Sequence, residues 1–144
     1  EVAADEAPAA DWLDLLLRLR VDFTLGWRRV ADAAAGDEAP LRALFAEREA
    51  PSAWLARWRA RCAEDGRGGP ARAQAMRGAN PFVIPRNHRV EEALAAASDE
   101  GDLAPFERLL EALRRPFDEA PELAPYGEPA PPAVTACYQT FCGT

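Results

Sequence analysis

The chain has 144 residues, 49% of them hydrophobic, a formal net charge of -7 and a pI of about 4.8. That length fits one domain with a real core. The acidic balance repels phosphate backbones and argues against nucleic acid as a partner, and no apolar run reaches the ~20 residues that span a membrane.

Residues 1–10 are Ala, Asp, Glu and Pro apart from Val2 and read as a frayed linker. With no Met at its head and no signal-peptide pattern, "EVAADEAPAADW" reads as the middle of a longer chain. From Asp11, Trp12, Leu15, Leu16, Leu19 and Phe23 recur at the spacing of an amphipathic helix. The Trp12, Leu15, Leu16 and Leu19 face is expected to stay partly uncovered unless a further body packs on it. A second helical piece carries Trp27 and Val30 and stops near Gly36. Pro40 starts a third, with Leu41, Leu44 and Phe45. Pro51 opens a fourth, with Trp54, Leu55, Trp58 and Cys62 on one face and Arg57, Arg59 and Arg61 outward, free or paired with nearby acids. "DGRGGP" breaks it, and a short helix through Met76 ends at Gly78.

"NPFVIPRNH" (80–88) is extended or turn-like, since Pro81 and Pro85 bias the residues before them away from helix. Asn87 is expected to cap the next helix, which carries Val90, Ala93, Leu94 and Ala97 and ends at Gly101. Arg86 and Asn80 would tie the preceding turn to neighbouring helices. Asp102 can cap a last helix with Phe106, Leu109, Leu110 and Leu113, stopped by Pro116. Residues 116–144 are proline-rich and acidic at first and read as an extended strap, with "VTACYQTF" able to pair as a strand. The fold class is all-α: a helical region over 11–115 followed by an extended tail.

All seventeen basic residues are arginine. The chain therefore offers no phosphate-loop, kinase-type or Schiff-base lysine. His88 is the one histidine and reads as a partly exposed first-turn residue rather than a general base. Cys62, Cys137 and Cys142 form no Cys-x-x-Cys pair, and with His88 they lack the short chelate spacing of a zinc site, so no metal is assigned. They read as thiols in a reducing compartment. Asp11, Asp14, Asp22 and Asp32 read as solvated faces and caps, and the four tryptophans as core. Cys142, two residues from the end, is the candidate redox handle. Cys137 is a poor partner for it in an extended tail, because five residues span roughly 16 Å against the ~4.4–6.8 Å that a disulfide allows.

"MRGANPFVIPRNHRVEEALAAASDEGDLAPFERLLEALRRPFDEAPELAPY" and "PPAVTACYQTFCGT" together resemble the C-terminal end of the selenoprotein O family. "LRVDFTLGWRRVADA" resembles that family's Asp-x-Thr-x-x-(Phe/Trp)-Arg helix, and "WLARWRARC" its Trp-containing helix. The more specific segment is Met76, Asn80, Pro81, Arg86 and Asn87, with the terminal Cys-x-x at Cys142. The resemblance implies a kinase-like protein adenylyltransferase that moves AMP from ATP onto Ser, Thr or Tyr of proteins, with Mg or Mn on the triphosphate. It places the nucleotide and metal sites upstream of Glu1, so no catalytic, cofactor-binding or metal-binding residue is assigned here and this chain alone is expected to be inactive. The partners it implies are that kinase-like domain, which would also hold the thiol partner of Cys142, and the protein substrates. The expected location is the bacterial cytoplasm. The rival reading is a free-standing helical interaction module without enzymatic activity.

Overall fold

The computed structural model describes residues 3–137, and among them every regular element is helical. The chain divides into two compact units, Glu1–Phe82 and Val83–Thr144. The division falls at Phe82, inside the region 11–115 that reads from sequence as one piece.

The first unit contains α1 (Ala3–Arg18), α2 (Phe23–Ala34), α3 (Ala39–Arg42), α4 (Ser52–Glu64) and α5 (Gly69–Ala79). The start of α1 corrects the expectation of a frayed segment over 1–10 from Ala3 onward. Alanines at 3, 4, 7, 9 and 10 favour helix. The Trp54 indole N–H, 46 residues away, donates to the Pro8 carbonyl at 2.8 Å and anchors this stretch.

Trp12 is the centre of the core and is fully buried. Its ring lies 4.3 Å from Trp54, 6.0 Å from Phe45 and 6.3 Å from Trp27, centroid to centroid. Such pairs add about 0.5–1.5 kcal/mol each beyond their burial. Leu15, Leu16, Val30, Leu41 and Leu55 complete the cluster. The expectation of a partly uncovered Trp12, Leu15, Leu16 and Leu19 face is therefore corrected for the first three, whereas Leu19 is exposed. The first three are buried by α2 to α4 within this unit, and the exposed apolar residues of α1 are Leu13 and Leu17, with Leu19 beyond its end. Gly26 lets α2 approach α1: a Cβ there would meet the Leu16 side chain at 2.8 Å. Between α3 and α4, Arg42 grips Glu38, the Arg48 carbonyl (2.9 Å) and Ser52 Oγ (2.8 Å), which fixes the loop without regular structure.

The second unit holds α6 (Asn87–Ala95), continued by a π-turn (Ala96–Glu100), then α7 (Ala104–Leu113), a 3-10 turn (Pro121–Leu123), α8 (Ala124–Gly127) and α9 (Pro132–Cys137). Gly101 has φ +67°, a left-handed conformation suited to glycine, and ends the first helical stretch as expected. The Asp102 carboxylate accepts the Ala104 N–H at 2.9 Å in the turn before α7, whose N-cap position is Leu103, with no side-chain cap bond. Val83, Ala93, Leu109, Ala112 and Leu123 are buried.

The strap over 116–144 departs from the extended reading as far as it is described. Pro121, Pro125 and Pro132 each stand in the first turn of a short helical element. The fixed φ of proline suits that position, where its missing N–H loses no helical bond. Val134–Cys137 of the expected strand are helical in α9, and the rest of that stretch lies outside the described residues. No described helix is long and apolar enough to cross a membrane.

Candidate functional site

The Asp-x-Thr-x-x-Trp-Arg stretch is Asp22, Thr24, Trp27 and Arg28, at the head of α2. Asp22 is the N-cap, and its carboxylate accepts the Leu25 N–H at 2.8 Å. Trp27 packs against the core. Arg28 is only 2% exposed, and its Nη1 donates to the carbonyls of Arg77 and Asn80, both at 3.0 Å. These carbonyls lie at the C-terminal end of α5, where helix geometry leaves acceptors unfilled and the helix dipole favours a cation. Asn80 closes the same end, its side-chain Nδ2 donating to the Met76 carbonyl at 2.8 Å. The two sequence motifs thus meet: the arginine of the first holds the asparagine of the second through its backbone.

Charges on neighbouring turns complete the arrangement. Asp32 Oδ2 accepts from Arg29 at 3.0 Å and Oδ1 from Arg77 at 2.6 Å. The solvated-face reading of Asp32 is corrected: the residue is 9% exposed because α5 closes over it. Phe82, itself buried, has the guanidinium carbons of Arg28 and Arg29 at 5.9 and 5.8 Å from its ring centroid, within cation–π range. Arg57, Arg59 and Arg61 pair with Asp11, Glu38 and Glu64.

A second arginine clasp stands in the second unit. Arg86 is 9% exposed and donates through Nε and Nη2 to the Gly127 carbonyl at 3.1 and 2.8 Å. Arg89 donates to the Pro125 carbonyl at 3.1 Å. Both secure the 3-10 turn and α8. Asn87 does not cap α6. The cap position belongs to Arg86, with extended backbone at φ -70°, ψ 129°, and no side chain fills it. Asn87 comes one residue too late and is exposed. Asn80 and half-buried Pro81 belong to the first unit, Arg86 and Asn87 to the second.

His88 is half-buried, and its pKa lies below the ordinary imidazole value, first through burial and then through repulsion by Arg89. It stays neutral near pH 7. The Cys62 thiol is pushed up by burial, which leaves it a poor nucleophile at neutral pH. Cys142 lies outside the described residues. A triphosphate with its divalent metal does not fit the described groups of this chain. Lysine is absent from the sequence, and among the described residues no three His, Cys, Asp or Glu side chains converge. The buried arginines are already satisfied by carbonyls, so the clasps position backbone rather than hold a nucleotide. Sequence reading missed Arg28 as a structural centre, although its place in a recognisable motif was the available signal.

No family model matches the chain. Curated relatives do. It is 45% identical over its whole length to protein nucleotidyltransferase YdiU of a Bradyrhizobium species, covering 29% of that protein. It is 49% identical to the protein of the same name from Chromobacterium violaceum, over 97% of this chain and 29% of the relative. A Cereibacter sphaeroides protein, again of that name, is 51% identical over 97% of this chain and 27% of its own length. The relatives that this chain matches over nearly its whole length carry the name protein nucleotidyltransferase YdiU, the selenoprotein O family. The chain spans less than a third of the length of these relatives.

Proposed function

We propose that the chain is the C-terminal helical part of a protein adenylyltransferase that transfers AMP from ATP to Ser, Thr or Tyr hydroxyls of proteins. The observation that carries this reading is the match of the whole chain, at 45–51% identity, to relatives named protein nucleotidyltransferase, while the chain covers only 27–29% of each. ATP and Mg or Mn belong, in this reading, to a kinase-like portion outside the sequence. The lack of lysine in this sequence supports that division. The local role of these helices is to pack on that portion and carry the terminal segment, with Cys142 as a redox handle toward a thiol elsewhere in the polypeptide. A cytoplasmic location accompanies the reading.

The test uses the longest polypeptide that carries this sequence, with Mg or Mn and ATP labelled at either the α- or the γ-phosphate. Label entering protein from the α-position alone supports AMP transfer; label from the γ-position refutes it. Calorimetry on the 144-residue chain should detect no Mg-ATP binding, and micromolar affinity would overturn the division of labour. For the tail, mass spectrometry after mild oxidation should find Cys142 in a disulfide. A Cys142 that stays reduced, with Cys142→Ser leaving activity and its redox response unchanged, rejects the redox role.

A further inference from the structure

The first unit carries a cleft of about 380 Å³ that neither clasp uses. One wall is aromatic and apolar: Trp27, Trp54, Trp58 and Met76. Three arginines, Arg61, Arg67 and Arg72, also line it, with Asp65 the one carboxylate among the described lining residues. This concentration of positive charge stands in a chain whose net charge is -7. We propose that the cleft binds a small planar aromatic acid, its ring against Trp58 and its anionic group at Arg67.

The ring position follows from the tryptophan ladder. Trp12, Trp54 and Trp58 follow one another at centroid spacings of 4.3 and 5.8 Å, the last pair nearly parallel at 10°. Trp12 and Trp54 are buried, whereas Trp58 is half-buried and lines the cleft. A flat ring seated on Trp58 adds a rung to the ladder and covers indole surface that water now touches.

The charge assignment follows from what the three arginines already hold. Arg72 pairs with Asp65 and also donates to the Cys62 carbonyl at 2.7 Å. Arg61 pairs with Glu64 at 3.1 Å. Arg67 is exposed; its backbone N–H donates to Asp65 at 2.8 Å and its charge helps hold the Asp65 carboxyl below the usual range, but among the described residues its guanidinium forms no ion pair within 4.0 Å. The rim therefore suits a monoanion. A cation is repelled, and a triphosphate would find only one uncommitted guanidinium. The volume lies at the small end of ordinary ligand sites, which fits a one- or two-ring acid.

The experiment titrates the longest polypeptide carrying this sequence with 2-naphthoate and, separately, with uncharged 2-naphthylmethanol, followed by calorimetry. The acid should bind about fivefold tighter than the alcohol at low salt, the advantage expected of one exposed ion pair. Arg67→Ala, a change at the surface, should erase that preference while leaving the melting temperature unchanged. Trp58→Ala should weaken both ligands, and if that variant fails to fold, the Arg67→Ala comparison decides alone. Equal affinity for acid and alcohol, a preference that survives Arg67→Ala, or no binding of either compound overturns the proposal. These results do not depend on AMP transfer, so the two readings fail separately.

Discussion

Replacing Arg28 by Met removes the guanidinium but keeps an unbranched chain of similar reach, so the main loss is the pair of bonds to the Arg77 and Asn80 carbonyls. Each is 3.0 Å long and joins α2 to the end of α5. A hydrogen bond involving a charged group contributes about 1.5–3 kcal/mol, and a buried acceptor left empty costs about 1–3 kcal/mol. Partly offsetting this, the variant no longer has to strip water from a guanidinium. The net expectation is a loss of about 3 kcal/mol, read from urea denaturation. At roughly 2–4 °C per kcal/mol for a chain near this size, the midpoint should fall by about 6–12 °C. Arg28→Lys should recover about half, since an ammonium on a shorter reach can serve one carbonyl well but not both. A loss below about 1 kcal/mol for Arg28→Met would show that the clasp does not hold the two helices, and the reasoning would fail.

Two glycines of α5 should respond in opposite directions to alanine. At Gly69 a Cβ would lie 2.5 Å from the Ala34 backbone oxygen, so Gly69→Ala should destabilise by about 1–3 kcal/mol; at Gly78 nothing stands within 4 Å, so Gly78→Ala should stabilise by about 0.4–1 kcal/mol, both measured by chemical denaturation. Asn87→Ala should change stability by less than about 0.5 kcal/mol, because its side chain caps nothing; a loss of 1 kcal/mol or more would restore it as a cap. The His88 ring protons, from the only histidine in the chain, should titrate by NMR below the ordinary value of about 6.5. Because the fold favours the neutral ring, this contribution to stability is present above pH ~6.5 and declines as pH falls through the folded pKa. A measured pKa at or above 6.5 would contradict that assignment.

The sequence by itself determined the longer helices and part of the face each turns inward, though Leu19, Phe23, Leu94 and Phe106 are exposed. The spacing of Trp12, Leu15 and Leu16, and of Trp54 and Leu55, marks residues that are buried in the structure. Gly36 and Gly101 mark stops and adopt φ +103° and +67°. These are local matters: side-chain spacing and backbone sterics act within a turn or two, so they can be read from neighbouring residues. The family could be read as well, from motif strings that run along the chain. What only the tertiary structure decided is which of seventeen similar arginines go inside. Arg28 is buried beside the more accessible Arg29 because its carbonyl partners, 49 and 52 residues away, arrive at that point when α5 docks on α2. The helical start over Ala3–Ala10 likewise carries a bond from Trp54, and the folded strap depends on Arg86 reaching Gly127. Bonds of this kind depend on where a distant helix ends, and no periodicity in the sequence encodes that position.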